Sequence, residues 1–249
     1  MMQKLTLITG ANRGMGFEIA KALGAHGQHI LLSSRSLDKG EAAATQLRAA
    51  GATVDAVQLD VTDPESVEVA TTKLAADYGR LDILINNAGA THDAHRAPSV
   101  LPLDVIREDF ELNYFGVVNL TQHLIPLLKQ SPQAKIINVT SMMGSLSQSL
   151  NPEAETFRAS ALGYQSAKAA TNMFTIQLAK EFKNNAIPIT VNSVDPGVVA
   201  TGFGGGDPAA AKARGAKTPE MGASRTIELA LSDDEVSATF SNDHGPVGW

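Results

Sequence analysis

Tyr164 and Lys168 stand four residues apart in Tyr164-Gln165-Ser166-Ala167-Lys168, a spacing that puts a phenol and an ammonium on one face of a helix. A free phenol, with a pKa of about 10, is a poor proton donor or acceptor at neutral pH. A cation held beside it favours the phenolate and lowers that value. The pair is a candidate for acid–base chemistry at an oxygen atom. At the same offset, Tyr78 meets Asp82 and Tyr114 meets Val118, so neither repeats the pattern. Ser141 follows Ile136–Thr140, a strand-like run, and so falls where strand ends open into the crevice of an open α/β sheet. Its hydroxyl is placed there to bond a carbonyl oxygen, whereas Thr140 points to the opposite side if the strand continues.

A second set of residues reads as a phosphate cradle. Thr9-Gly10-Ala11-Asn12-Arg13-Gly14-Met15-Gly16 leads from a strand-like run straight into an Ala-rich helical stretch, the strand–turn–helix context of a dinucleotide site. Glycines let the backbone approach a pyrophosphate, whose charge then sits against unpaired N–H groups at the helix N-terminus. The spacing is G-x-x-x-G-x-G rather than the commoner G-x-G-x-x-G. At the end of the second strand, where a carboxylate would bond the ribose hydroxyls of NAD, the sequence reads Ser33-Ser34-Arg35. Arg35 and Arg13 together suit a 2′-phosphate through charge-assisted hydrogen bonds, so the cofactor expected is NADP(H).

The elements that must position these residues follow from alternating patterns. Strands are predicted at Leu5–Thr9, Ile30–Ser33, Thr53–Leu59, Ile83–Asn86, Ile136–Thr140, Ile189–Val194 and Ala238–Ser241. Helices are predicted at Gly16–Ala25, Leu37–Ala50, Pro64–Tyr78, Leu103–Lys129, Ser160–Asn184 and Thr218–Leu231. Alternation of this kind predicts a doubly wound, mostly parallel, seven-stranded sheet with helices on both faces. Asp63 is expected to cap the helix that starts at Pro64. Residues 202–218, rich in Gly and Ala over their first part, read as a mobile loop on the substrate side.

Composition bounds the rest. The 249 residues, 43% hydrophobic and 18% charged, suffice for one substantial core, and no linker-like shift divides them, so residues 1–249 are expected to form one domain. A net charge of −6 with both signs interspersed offers no cationic field for nucleic acid or anionic lipid. The longest apolar runs are strand-sized, far below the roughly 20 residues of a bilayer-spanning helix. With no cysteine and no signal-like N-terminus, a cytoplasmic location is expected. Six histidines show no metal-ligand spacing, and no metal is expected.

Taken together, the chain resembles the short-chain dehydrogenase/reductases over essentially its whole length. The resemblance rests on the Thr9–Gly16 turn, Asp60-Val61, Asn86-Asn87-Ala88-Gly89, Asn113, Ser141, Tyr164 with Lys168, and Pro196-Gly197, in the family's order. It implies that Asp60 meets the adenine ring and that Asn87, Ala88 and Gly89 stabilise the central sheet beside the cofactor. Asn113 would anchor a water leading protons to Lys168, and Pro196, Gly197 and Val198 with Thr201 would hold the carboxamide end. Within the family the chain is most similar to the carbonyl reductases, through Asn12-Arg13, Arg35 and the ending Gly245-Pro246-Val247-Gly248-Trp249. Ser141 and Tyr164 lie 23 residues apart, more than the family's common spacing. Residues 142–160 thus form an insertion, shorter than the one by which carbonyl reductases cover a helix face used for assembly, and both a monomer and a homo-oligomer stay open. The reaction implied is reduction of a ketone or aldehyde, with hydride from NADPH and the proton from Tyr164. A 3-oxoacyl carrier-protein reductase and a non-catalytic NADP(H)-binding sensor are the alternatives.

Overall fold

The computed structural model describes residues 3–94 and 96–249; one of the six histidines, His95, lies outside them. Among the described residues, eight strands form one sheet: β1 (Leu5–Ile8), β2 (His29–Ser34), β3 (Thr53–Gln58), β4 (Ile83–Asn86), β5 (Ala134–Val139), β6 (Ile189–Val194), β7 (Phe240–Asn242) and β8 (Gly245–Pro246). Their order is β3-β2-β1-β4-β5-β6-β7-β8. The first seven are parallel, and β8 runs antiparallel to β7. The order reverses between β1 and β4, which opens a crevice at the strands' C-terminal ends.

Side-chain alternation along the strands feeds two cores. Leu5, Leu7, Leu31, Leu84 and Ile136 face one side, where Leu74 of α3 (Pro64–Tyr78), Leu124 of α5 (Gly116–Leu128) and Phe182 of α7 (Leu162–Asn184) cover them. Ile8, Ile30, Leu32, Ile83 and Ile137 face the other, beneath Ile19 of α1 (Gly14–Ala25), Leu47 of α2 (Leu37–Ala49) and Ala223 of α9 (Pro219–Leu231). Every one of these residues is buried, as period-two alternation between covered faces requires. Among the described residues no helix is long and apolar enough to cross a membrane.

Four local departures from the sequence reading have physical reasons. The sheet has eight strands rather than seven, because Asn242 Oδ1 accepts the His244 N–H and turns the chain back so that Gly245–Pro246 pairs with β7. The last predicted strand starts two residues late, since Ala238 has φ +61° and cannot lie in an extended strand. The helix predicted over Leu103–Lys129 is broken into α4 (Leu103–Phe110), a π turn (Glu111–Phe115) and α5. Gly116 begins α5 where a Cβ would meet the Val61 carbonyl oxygen at 2.7 Å, so the helix passes tightly over the chain after β3. Finally, the segment read as a loop holds a short helix, α8 (Pro208–Ala213), whose first turn is capped by Asp207 Oδ1 accepting the Ala209 N–H at 2.9 Å.

The segment 142–160, expected to be an insertion, folds into short helical pieces. It contains a 3-10 turn (Met142–Gly144), the four-residue helix α6 (Leu146–Ser149) and a second 3-10 turn (Glu155–Arg158). Ser145 Oγ donates to the Gly248 carbonyl at 2.6 Å, and Ser147 N–H to the Trp249 carbonyl at 3.3 Å. Trp249 itself stacks on Phe240, with ring centroids 5.5 Å apart.

Candidate active site

The predicted residues follow the C-terminal ends of six strands, β1 to β6, with α7 and the π turn supplying the rest. After β1, Gly10 and Gly14 take φ of +63° and +59°, a region that only glycine occupies without strain. Gly16 lies in the first turn of α1, where a Cβ would meet Asn87 Nδ2 at 2.6 Å and the Gly10 carbonyl oxygen at 2.8 Å. Arg13 occupies the cap position of α1 but its side chain makes no capping bond. The helix therefore begins with its N–H groups unclaimed by any cap side chain, beside Asn12, Gly14 and Met15. Thr9 and Asn87 lock this turn to β4: Thr9 Oγ1 accepts the N–H groups of Asn87 and Ala88, each at 2.9 Å, and Asn87 Nδ2 donates to the Thr9 carbonyl at 2.8 Å.

Arg13 and Arg35 are exposed, while Ser34, which ends β2, is buried. β2 lies directly beside β1, so both arginines stand at the same end of neighbouring strands. Asp60 is half-buried and its Oδ1 accepts the Thr62 N–H at 3.0 Å and the Thr62 hydroxyl at 2.7 Å. That bonding gives Asp60 a turn-forming duty at the end of β3, with Val61 buried next to it. After β6, Gly197 adopts φ +72° in the turn that carries Pro196 and Val198. Thr201 lies close to Gly14, its Cγ2 3.4 Å from where a Gly14 Cβ would stand. A backbone cradle of this shape, with an open helix end and no carboxylate at the end of β2, fits a dinucleotide.

The catalytic candidates come from β5, α7 and the π turn. Ser141 begins the 3-10 turn after β5 in extended conformation, and its Oγ accepts the Met143 N–H at 3.1 Å, which leaves the hydroxyl proton to donate elsewhere. Gly144 makes this approach possible, because a Cβ there would stand 2.7 Å from the backbone at Lys168 and Ala169. Tyr164 is buried, and the Ser141 hydroxyl acts on its phenol in the direction that lowers it. Lys168 is also buried; its Nζ donates to the Val139 carbonyl at 3.0 Å and lies 5.6 Å from the centre of the Tyr164 ring. Thr140 is directed away, with Oγ1 on the Val194 carbonyl.

Electrostatics correct one expectation. Burial pushes the Tyr164 phenol above its usual range, the Asp195 and Asp109 carboxylates add to this, and the Ser141 hydrogen bond opposes it. Lys168 at 5.6 Å does not reverse the effect, so the phenol stays firmly protonated. Burial in turn pulls the Lys168 ammonium down to about 8, the direction expected of a desolvated cation.

Asn113 sits in the π turn, fully buried. Its Nδ2 donates to the Ala90 and Asp109 carbonyls at 2.8 and 2.9 Å, and its backbone carbonyl accepts the Thr171 hydroxyl at 2.7 Å. Its Oδ1 is buried without a partner. A side chain on Gly89 would find that oxygen at 2.9 Å and Lys168 Nζ at 3.5 Å, so the two groups converge on the space beside Gly89.

Several residues at the site escape the sequence reading. Asp195 is buried and accepts the Met142 N–H at 3.0 Å and the Gly197 N–H at 3.2 Å, tying the Ser141 turn to the Pro196 turn. Its position at the end of β6, just before Pro196, was an available signal. Phe203 packs edge-on against Tyr164, ring centroids 5.5 Å apart. Behind the site, Asn86, Asn138, Thr175 and Ser193 form a buried hydrogen-bonded chain across β4, β5, α7 and β6. Asp93 accepts the N–H groups of Gly163 and Tyr164, and nothing in the local sequence marks it. Among the described residues no cluster of His, Asp or Glu is placed to hold a metal ion.

Known proteins are similar to this chain in sequence and fold. The family model described as short chain dehydrogenase matches residues 4–210. The chain belongs to the short-chain dehydrogenase family. This short-chain dehydrogenase is 34% identical over 257 residues to a relative of the same description from Penicillium roqueforti, covering 98% of this chain and 97% of that one. It is 29% identical to a mouse protein described as carbonyl reductase (NADPH) 3, over 92% of this chain and 91% of the other. Among solved structures, an alcohol dehydrogenase from the archaeon Thermococcus sibiricus, complexed with 5-hydroxy-NADP, superposes with a TM-score of 0.81 at 28% identity, covering 97% and 96% of the two chains. As a member of the family, the chain is an oxidoreductase acting on CH–OH or C=O groups with a nicotinamide dinucleotide.

Proposed function

We propose that this short-chain dehydrogenase is an NADPH-dependent carbonyl reductase that converts a ketone or aldehyde to the alcohol. The observation that carries the reading is the buried Tyr164 phenol with Lys168 Nζ 5.6 Å from its ring centre, a burial that raises the phenol and keeps it protonated. When bound, NADPH supplies the hydride that forms the new C–H bond at the carbonyl carbon. The chain's own residues manage the oxygen. Ser141, its oxygen already accepting from Met143, donates a hydrogen bond to the carbonyl oxygen as negative charge builds there and keeps its own proton. Tyr164 then transfers its phenolic proton to that oxygen, which completes the alcohol and leaves a phenolate beside Lys168. Lys168 stabilises that phenolate and would hydrogen-bond the cofactor's ribose, while Phe203 packs edge-on against the Tyr164 ring.

Cofactor choice rests on the second strand. Arg35 directly after β2, Arg13 at the start of α1 and the lack of a carboxylate at the β2 end favour the 2′-phosphate of NADPH. The NADPH named for the mouse relative and the NADP derivative bound to the archaeal enzyme are consistent with that choice. A panel of aliphatic and aromatic ketones and aldehydes, followed by loss of reduced-nicotinamide absorbance, tests the reading. Turnover with NADPH and much slower turnover with NADH is the expected result; no turnover of any carbonyl, or a preference for NADH, contradicts it.

A further inference from the structure

Two buried carboxyl groups meet beneath the first turn of α7. Asp93 comes from the loop after β4 and Asp109 from α4, and they are 1% and 0% exposed. Asp93 Oδ1 accepts the Gly163 N–H at 3.0 Å, and Asp93 Oδ2 accepts the Tyr164 N–H at 2.9 Å. Asp109 Oδ1 accepts the His92 backbone N–H at 3.0 Å and contacts the His92 ring Nδ1 at 2.9 Å. Asp109 Oδ2, by contrast, is buried with no donor. A Cβ on Gly163 would stand 2.8 Å from that oxygen, so glycine is what admits the second carboxyl to the helix end.

The two carboxyl groups crowd onto one residue, Asp93 Oδ1 on the Gly163 N–H and Asp109 Oδ2 where a Gly163 Cβ would stand. Two anions in such contact, away from water, repel strongly, whereas a single proton between them turns repulsion into a hydrogen bond. That proton would also give the orphaned Asp109 oxygen its missing partner. We propose that Asp93 and Asp109 hold one proton between them and act as positioning residues, fixing the Tyr164 phenol through the main-chain N–H groups at the start of α7. The proposal rests on the reading of Tyr164 as proton donor.

Charge supports the geometry. Burial and the Asp93 neighbour push the Asp109 carboxyl up to about 6, against the opposing pull of the His92 bonds. One residual negative charge complements the positive end of the α7 dipole, where a second would be redundant and unshielded. Among the described residues, the titratable and polar groups facing the pair are few. They are His92 and Thr91 from the loop after β4, Arg96 with Nε on the Asp93 carbonyl, and Tyr164 from α7. Because Asp109 acts on the phenol with a sign that raises it, losing the shared proton makes Tyr164 harder still to ionise.

Carbon-13 NMR of the aspartate carboxyl groups in the full chain reads the proton without recourse to activity. One carboxyl is expected to titrate near 6, to vanish in Asp109→Asn, and to move toward the ordinary carboxylate range in Asp93→Asn. Every aspartate ionising in the ordinary range would overturn the shared proton, even if the chain proved inactive on all carbonyl substrates. Kinetics then test the positioning. In Asp93→Asn, kcat is expected to fall about tenfold or more through misplacement of the phenol, with NADPH affinity unchanged. In Asp109→Asn the inflection of kcat/KM near pH 6 is expected to disappear. Wild-type kcat and pH profile in both variants would refute the role.

Discussion

Two helix N-termini meet the crevice, and they are treated in opposite ways. Each begins without a side-chain bond from its own cap residue, Arg13 for α1 and Ala161 for α7. At α1 the surroundings are glycine, backbone and the side chains of Asn87 and Thr201, and among the described residues no carboxylate is hydrogen-bonded to the first N–H groups. At α7, Asp93 reaches in from a distant loop and takes the N–H groups of Gly163 and Tyr164. The same physical device, a row of donors at the positive end of a helix, is left open where the proposed function needs an external phosphate. It is sealed with an internal anion under Tyr164, the proposed proton donor. By comparison, α2 and α3, remote from the chemistry, are capped by their own Ser36 and Asp63.

Closing the open terminus should have the largest effect. Gly16→Val puts a side chain where Asn87 Nδ2 and the Gly10 carbonyl oxygen already stand, at 2.6 and 2.8 Å from a Cβ. Overpacking of this kind costs about 1–3 kcal/mol, so thermal unfolding should shift down, and fluorescence titration should show NADPH binding lost. Unchanged affinity would mean the phosphates sit elsewhere. A smaller effect is expected of Arg35→Ser, which removes one charge-assisted contact to the 2′-phosphate. The ratio of kcat/KM for NADPH over NADH should fall by about tenfold to a hundredfold, measured by paired steady-state assays. The smallest belongs to a helix outside the comparison. Asp63→Ala removes the acceptor of the Glu65 N–H on α3 and should cost about 1 kcal/mol of stability by denaturant titration, with kcat untouched.

Much of this was legible in the sequence because the signals are local. The strand alternation that separates Leu31 from Ile30 and Leu32, and the Asp63-Pro64 start of α3, are decided within a few residues. The same Asp-Pro signature at Asp207-Pro208 marks α8, yet the Gly- and Ala-rich composition around it reads as loop. The π turn at Glu111–Phe115 has no comparable local mark, since it depends on Gly116 passing over Val61, a contact between distant parts of the chain. Asp93 and Asp109 are illegible for the same reason. Each is an ordinary acidic residue until the fold buries it against the other and against the start of α7. The spacing of Tyr164 and Lys168 predicts a lowered phenol, whereas burial, which the spacing does not report, raises it.

The most direct test of the account replaces the Tyr164 phenol by a plain ring. Tyr164→Phe keeps the packing against Phe203 and removes only the hydroxyl, so kcat/KM for carbonyl reduction should drop by about 10²–10⁴-fold while NADPH binds as in the wild type. Turnover close to that of the wild-type enzyme would show that the proton reaches the substrate by another route.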